Sequence, residues 1–365
     1  MPVDFIGLIS TQDGSESRPF AGPVIDPVFT ARVARAHEDS GFDQVLIGYS
    51  SAYPDGAQVA AFAAAHTSSL KFLVAHRPGF AAPTLAARTF ATLDQFTGGR
   101  VTLNIITGGH DVEQRRDGDY LSKDDRYARS GEYLSILRRA WASSTPFSHE
   151  GRFYRFEDYV AQVKPVNGGI PIYFSGSSPA AYSTGVRHAD VYMFWGEPLA
   201  QTAEQIASVR AAAAALGKPA PRFSVSFRPI LGATEELAWE RAHEILGRIG
   251  TVSSPKFFRN RDRDNPANVG SQRLLAAAAT QDRHDRALWT ATAKASGAAG
   301  NSTALVGTPE TVAQALLDYH DLGVTTFLIR GYDPLDDAID YGRELIPAVR
   351  AGVASRDAAA VPVAA

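Results

Sequence analysis

One continuous stretch, residues 71–109, constrains the fold of this chain more than any other. It reads KFLVAHRPGFAAPTLAARTFATLDQFTGGRVTLNIITGG. Its two apolar runs, Phe72–Ala75 and Val101–Ile106, have the nearly continuous apolar character of buried parallel strands. Between them, Pro83 favours the first turn of a helix, and Gly98 with the glycine after it favours the end of that helix. The stretch therefore predicts a strand–helix–strand unit of a parallel sheet.

The same alternation of strands and helices continues along the chain. The predicted strands are Val3–Ile9, Gln44–Ile47, Phe72–Ala75, Val101–Ile106, Ile172–Phe174, Val191–Phe194, Phe223–Leu231 and Thr325–Ile329. Eight such strands predict an α/β fold, a (β/α)8 TIM barrel with insertions, as one domain over residues 1–350. A doubly wound sheet is the alternative, but Ser10–Gly14 after the first strand does not match the glycine pattern of a dinucleotide-binding turn.

Two insertions and a tail interrupt the pattern. Residues 144–169 predict a short hairpin, and residues 250–300 include the polar and highly charged run RNRDRDNPANVGSQR. Because the second insertion follows strand seven, it is a lid over the carboxyl ends of the strands, a solvated surface excursion or an oligomer contact. The Ala/Val-rich tail, residues 351–365, is expected to fray.

Composition excludes several classes of protein. A formal net charge of −3 gives no reason to expect nucleic acid or an anionic membrane as a partner, and the absence of cysteine excludes disulfides and thiolate metal sites. The first residues lack the features of a signal peptide, and no apolar run is long enough to span a bilayer. We expect a cytoplasmic protein. The nine histidines are scattered, so no metal site is expected.

Polar and aromatic residues follow the predicted strands. They include hydroxyls, aromatic faces and a Gly176-Ser177-Ser178 turn before a helix, without an evident acid–base pair. Such a set is suited to a large, planar, phosphorylated cofactor that carries the chemistry itself. Ser178 either belongs to a phosphate-binding turn or is an ordinary helix N-cap.

These motifs, in this order, resemble those of the bacterial-luciferase-like flavin-dependent monooxygenases, specifically the alkanesulfonate monooxygenase branch. The matching pieces are Lys71–Ala75 with Arg77-Pro78, Pro83–Arg88, Ala91–Asp94, Gly98–Arg100, Asn104 with Thr107-Gly108, Arg126-Tyr127, Gly176–Ser178, Trp195–Pro198, Thr303–Gly307 and Gly331-Tyr332. The resemblance extends over about residues 3–349, nearly the whole chain.

The resemblance implies a TIM barrel and a two-component reaction. Reduced FMN would come from a separate NAD(P)H-dependent flavin reductase, and O2 would be the co-substrate. A flavin (hydro)peroxide would oxygenate a small organic substrate, an alkanesulfonate or other organosulfur compound. A homodimer or homotetramer is expected. Two alternatives stay open: a luciferase-like relative that acts on a heteroaromatic substrate or uses a deazaflavin for hydride transfer, and a non-enzymatic flavin-binding relative.

The resemblance also implies the site residues. Those expected at the cofactor are Gly48, Tyr49, Asn104, Glu113, Arg126, Tyr127 and Ser178. Those expected at the substrate are Tyr53, Trp195, Ser226 and Arg228, and those expected in catalysis are Arg228, Tyr332 and His76.

The substrate positions depart from the pattern of the alkanesulfonate branch. An Arg and a His on strand seven are replaced by Ser226 and Arg228, and a Cys after strand two is replaced by Tyr53. A sulfonate needs charge-assisted donors, which Arg228 with a lid arginine, Arg261 or Arg263, would supply. Alternatively, the site is remade for a less charged substrate. For either kind of substrate, two roles stay open for Arg228: it stabilises a substrate anion or the peroxide, or it is the partner in a structural ion pair.

Overall fold

A computed structural model describes residues 2–249, 251–252, 266, 268–300 and 302–360. Its strands are β1 (Asp4–Leu8), β2 (Asp13–Ser15), β3 (Arg18–Ala21), β4 (Gln44–Ile47), β5 (Lys71–His76), β6 (Val101–Ile105), β7 (Phe147–Glu150), β8 (Arg155–Tyr159), β9 (Ile172–Ser175), β10 (Val191–Trp195), β11 (Arg222–Leu231), β12 (Arg283–His284), β13 (Leu288–Trp289), β14 (Ala304–Gly307) and β15 (Val324–Ile329).

Helices follow most of these strands. They are α1 (Pro27–Asp39), α2 (Gly56–Ala64), α3 (Pro83–Thr97), α4 (Asp111–Arg116), α5 (Lys123–Ala142), α6 (Pro179–His188), α7 (Leu199–Ala214), α8 (Glu235–Arg248), α9 (Val269–Thr280), α10 (Ala291–Ser296), α11 (Pro309–Asp321), α12 (Asp336–Asp340) and α13 (Ile346–Ala360). A π-helical turn, Tyr341–Leu345, joins the last two helices.

The strand order β10-β9-β6-β5-β4-β1-β15-β11, closed by pairing of β10 with β11, makes an eight-stranded parallel barrel. The predicted TIM barrel is thus confirmed, and each of the eight predicted strands coincides with a barrel strand. The second half of β11 continues beyond β15 and pairs with β14 from Arg228 to Leu231. This extension positions Arg228 where β11 passes from one parallel partner to the other.

Local sequence explains where the helices begin and end. Proline occupies the first turn of α1, α3, α6 and α11, where its missing N–H has no intrahelical acceptor to lose. Gly98 ends α3 in the left-handed conformation, with φ of 67°, which glycine adopts without a steric penalty. Buried Asp94 then accepts hydrogen bonds from the N–H groups of Val101 and Val166. The strand–helix–strand unit is therefore held by both its turn and its side chains.

Two compact units can be distinguished in the chain. Unit 1 comprises residues 1–45, 193–207 and 222–365, and unit 2 comprises residues 46–192 and 208–221. In unit 1, an apolar core forms between β11, α8 and β14, with Ile230, Trp289 and Val306 buried. In unit 2, every residue of β6 is buried between neighbours of β5 and β9. That burial explains the nearly continuous apolar run in the sequence.

The regions outside the barrel strands differ in outcome. The predicted hairpin is present as β7 and β8. The tail was expected to fray from residue 351, but α13 continues to Ala360, because its alanine-rich sequence favours helix. Most of the charged part of the predicted lid, including Arg261 and Arg263, lies outside the described residues. Among the residues that the structure describes, no helix is long and apolar enough to cross a membrane.

Candidate active site

A buried arginine organises the polar residues at the carboxyl ends of the unit 2 strands. Arg77, which follows β5, is 5% exposed and forms an ion pair of 2.7 Å with Glu113 of α4. Its guanidinium lies 4.4 Å from the centre of the Tyr49 ring, and the Tyr49 hydroxyl donates to Asp117 at 2.9 Å. Burial, followed by this hydrogen bond to a carboxylate, raises the pKa of Tyr49. Four residues from distant parts of the sequence therefore fix one another.

Several buried polar atoms of unit 2 have no hydrogen-bond partner among the residues that the structure describes. The carboxamide oxygen of Asn104 is one of them, and Ser51 Oγ, Arg77 Nε and Gln114 Oε1 are others. Asn104 lies on β6 in register with Ala75 of β5 and Tyr173 of β9. An unpartnered buried acceptor costs about 1–3 kcal/mol, so native proteins rarely keep one without a reason. A bound ligand that donates to Asn104 is such a reason.

A tight turn precedes α6 in the same unit. Gly176 has φ of 139°, and a β-carbon there would lie 2.6 Å from Ala181 Cβ and 2.9 Å from the hydroxyl of Tyr127. Only glycine therefore fits, and it keeps the Tyr127 hydroxyl close to the start of the helix. Tyr192 donates to the Gly176 carbonyl at 2.7 Å. The hydroxyl of Ser178 accepts from the Ala181 N–H at 3.2 Å, so this side chain is an N-cap.

His76, expected in catalysis, is instead part of a hydrophobic and aromatic setting. Its Nε2 lies 2.7 Å from the hydroxyl of buried Tyr133, and its ring contacts Phe90 edge-on. Burial lowers the pKa of His76 to about 4. The imidazole is therefore neutral near pH 7 and makes a neutral hydrogen bond to Tyr133, which makes it a poor anion ligand.

The other expected cofactor residues are placed as follows. Glu113 accepts from the Ser51 N–H at 2.9 Å and pairs with Arg77. Arg126 is buried, but its guanidinium donates to Asp111 at 2.8 Å and to the Leu121 carbonyl at 2.7 Å, so its charge is already paired. Gly48 faces open space, since a β-carbon there would find its nearest neighbour, the ring of Tyr53, at 4.0 Å. Tyr53 itself is half exposed.

A second buried arginine, Arg228, organises unit 1. Its side chain is 1% exposed, and both of its terminal nitrogens donate to the Glu16 carboxylate. Its remaining contacts are hydrogen bonds to the carbonyls of Arg330, at 3.1 Å, and Gly331, at 2.7 Å. The guanidinium lies 3.7 Å from the centre of the Tyr332 ring. The structural ion pair that the sequence left open for Arg228 is therefore present.

Glu16 is the residue that sequence reasoning missed. It lies at the turn between β2 and β3, a hairpin that begins five residues after β1 ends. Arg228 and Arg330 lower the pKa of Glu16 well below its usual range, which outweighs the opposing effect of burial. The only signal in the sequence was a carboxylate just beyond the first strand, and nothing local connected it with an arginine 212 positions away.

Three more of the expected residues lie in unit 1, namely Tyr332, expected in catalysis, and Ser226 and Trp195, expected at the substrate, whereas Tyr53 lies in unit 2. Tyr332 is buried, which raises its pKa and keeps its phenol protonated. Buried Ser226 donates to the Phe194 carbonyl at 3.3 Å. Trp195 is covered on one side by α9, because a β-carbon at Gly270 would lie 2.8 Å from its ring. Next along the chain, buried Glu197 forms a bidentate ion pair with Arg273 of α9.

The residues present in unit 2 fit a flavin. Flavins carry polar ring-edge groups, a flat apolar body and, in FMN, a phosphate. The unpartnered Asn104 oxygen would accept from a polar ring-edge group, and the open space at Gly48 would admit the flat ring. The Gly176 turn beside the Tyr127 hydroxyl would meet the phosphate. The fit to a flavin depends on these three features. It does not depend on Arg126 or Glu113, because their charges are neutralised within the protein.

Several solved structures have a similar architecture. The structure is similar to a riboflavin lyase with modified FMN and substrate riboflavin (20% identity, TM-score 0.80, 97% of this chain and 92% of that chain). It is also similar to the EDTA monooxygenase of Chelativorans sp. BNC1 (18%, 0.78, 97% and 95%). A third similar structure is an F420-dependent secondary alcohol dehydrogenase with an F420–acetone adduct (17%, 0.68, 96% and 99%). At these identities the likeness establishes the fold.

A match to a family model goes further than these structural likenesses. The model of the luciferase-like monooxygenases matches residues 5–326 of the 365. The match includes both clusters described above, except for the last part of the Arg228 cluster at Arg330 and Tyr332. The chain therefore belongs to the luciferase-like monooxygenase family.

Proposed function

We propose that the protein is a flavin-dependent monooxygenase that takes reduced FMN from a separate reductase and uses O2 to place one oxygen atom on a small organic substrate. The observation that carries this proposal is the buried, unpartnered oxygen of Asn104 at the carboxyl end of β6. The family match and the flavin-containing structural relatives support it. Membership of the alkanesulfonate branch, with an organosulfur substrate, is part of the same proposal.

Each residue around the cofactor has a limited task. Asn104 would accept from a ring N–H of the flavin, and Gly48 would leave room for its edge. The phosphate would meet the Tyr127 hydroxyl and the N–H groups at the start of α6, where the helix dipole favours an anion. Arg77 and Glu113 hold Tyr49 and the Ser51 backbone in position. The bound flavin supplies the redox chemistry, and the protein orients it and keeps water away.

The remaining expectations are proposals of the same kind. The chain has no dinucleotide-binding fingerprint after its first strand, so a separate NAD(P)H-dependent flavin reductase is the proposed partner. A cytoplasmic location and a homodimeric or homotetrameric state are proposed with it.

An anaerobic titration tests the cofactor assignment. We expect reduced FMN to bind with a Kd of about micromolar magnitude, and more tightly than reduced riboflavin, which lacks the phosphate. Reduced F420 is titrated alongside, as the deazaflavin alternative. Binding of reduced F420 in preference to reduced FMN would overturn the assignment, and so would failure of both flavins to bind. Oxygen consumption with reduced FMN is then screened against sulfonates, sulfones and heteroaromatic compounds.

A variant at Asn104 tests the observation itself. Asn104→Ala removes the acceptor, so we expect reduced FMN to bind about tenfold more weakly, the loss that one hydrogen bond explains. The matched control is Asn167→Ala, because Asn167 is exposed in the loop that precedes β9. Equal FMN affinity of the two variants would remove Asn104 from the cofactor site.

A further inference from the structure

Counted over the residues that the structure describes, the cluster around Arg228 is electrically neutral, although it contains three arginines. The cations are Arg18, Arg228 and Arg330, and the anions are Asp13, Glu16 and Asp333. Arg18 bridges Asp13 and Asp333, while Arg228 and Arg330 share Glu16. Three positive and three negative charges cancel, so the cluster offers no net charge to a ligand.

The guanidinium of Arg228 has few N–H donors left for a ligand. Four of its hydrogen bonds go to the Glu16 carboxylate and to two backbone carbonyls. A guanidinium has five N–H donors in a fixed plane, and carboxylate recognition uses two of them side by side. Glu16 already occupies that two-donor edge. A sulfonate would have to displace it, because both anions need the same donors.

Within the pair of Glu16 and Arg228, the glutamate is the more exposed side chain, because Glu16 is 33% exposed and Arg228 is 1% exposed. An incoming molecule therefore reaches Glu16 before it reaches Arg228. Arg18 and Arg330 are 39% and 25% exposed, and each is already paired with a carboxylate. A second anion beside Glu16 would be repelled and would lose its hydration without gaining Arg228 as a partner.

We propose that Glu16 makes this site select uncharged substrates, by holding the guanidinium of Arg228 so that no anionic group can bind it. The proposal rests on the monooxygenase function proposed above and narrows its substrate class to neutral compounds, such as sulfones, sulfonamides or heteroaromatic rings. Glu16 is a specificity residue here, because it keeps Arg228 from pairing with an anionic substrate.

Binding of a matched pair of probes tests the proposal without any flavin. Ethanesulfonate and ethanesulfonamide have nearly the same shape but differ by one charge. We expect calorimetry to detect no ethanesulfonate binding to the wild-type protein at about 10 mM, a limit set by weak millimolar affinities. Glu16→Gln keeps the size of the side chain and frees the charge of Arg228. In this variant we expect ethanesulfonate to bind at least about tenfold more tightly, with an affinity that falls as salt is added.

Two controls separate charge selection from a structural role. In the double variant Glu16→Gln/Arg228→Gln, the gained sulfonate binding should disappear while ethanesulfonamide binding stays as in Glu16→Gln. If Glu16→Gln fails to fold, the melting temperature of the wild-type protein decides. We expect ethanesulfonate to change it no more than chloride does at equal ionic strength.

Two outcomes would overturn the proposal. One is stabilisation of the wild-type protein by ethanesulfonate, and the other is a folded Glu16→Gln variant that gains no sulfonate affinity. Because no flavin is present, a failure of the cofactor assignment leaves these results interpretable.

Discussion

Two buried arginines in this protein have nearly the same immediate surroundings but differ in what their clusters can still bind. Arg77 in unit 2 and Arg228 in unit 1 each follow or end a barrel strand, lie over a tyrosine ring and pair with a carboxylate. In unit 2, buried polar atoms that include Arg77 Nε and the Asn104 oxygen have no partner within the described part of the chain. Around Arg228, the donors are taken by Glu16 and by backbone carbonyls.

The difference concerns what each cluster can still bind. A saturated cluster, in which every cation already has a partner, gains nothing from a charged ligand. It therefore stabilises the fold and excludes such ligands. A cluster with unpartnered buried atoms carries a free-energy cost that a ligand can remove, so its contribution is to binding. What a buried arginine can still bind therefore depends on the partners that its guanidinium already has, and not only on its being an arginine.

The largest expected effect comes from removing the saturated arginine. Arg228→Met leaves Glu16 without its main partner and removes hydrogen bonds to two carbonyls, so we expect the free energy of unfolding to fall by about 3 kcal/mol. Urea denaturation measures it. Arg222→Met on the same strand is the control, because Arg222 is 54% exposed and its 3.5 Å ion pair with Asp4 should contribute less than about 1 kcal/mol. Similar losses of unfolding free energy in both variants would mean that the Arg228 cluster stabilises the fold no more than an exposed ion pair does.

An intermediate effect is expected in acid. Because the pKa of Glu16 is lowered in the folded protein, the folded state holds fewer protons on it than the unfolded state does. The stabilisation by this residue is complete above the ordinary glutamate pKa of roughly 4.3 and is lost progressively as pH falls below it.

Melting temperatures measured from pH 7 to pH 3.5 test this sign. The wild-type protein should be more stable than Glu16→Gln at pH 7, and the gap should narrow below about pH 4.3. Comparison with the variant cancels the titration of all other carboxylates. A gap that stays constant through this range would show that the Glu16 charge does not stabilise the fold.

The smallest expected effect sharpens the comparison from the other side. Asn104→Ala removes an unpartnered buried acceptor, which favours the fold, and leaves a cavity, which opposes it. Because the two effects offset each other, we expect the free energy of unfolding of the ligand-free protein to change by less than about 1 kcal/mol. The same urea experiment measures it. A loss close to that of Arg228→Met would show that Asn104 is a structural residue and would undermine its place at the cofactor.

Sequence reasoning succeeded for the fold, and its site residues stay predictions. The eight strands, the helix start at Pro83 and the Gly98 helix end were predicted, because each depends on residues within a few positions of one another. Asn104 and Tyr127 were selected from the sequence as cofactor residues, and both lie among the features on which the flavin proposal is built. Sequence reasoning did not predict Glu16, the pairing of His76 with Tyr133, or the continuation of α13 to Ala360.

What the sequence by itself determined is the order of strands and helices, and with it a barrel whose polar residues follow the strands. What only the tertiary structure decided is which of those residues neutralise one another. Arg228 finds Glu16 across 212 positions, and Tyr49 finds Asp117 across 68. Such pairs depend on how the barrel closes and on the path of the hairpin β2–β3. Periodicity reports which face of an element is buried, but it carries no information about which distant charge arrives there.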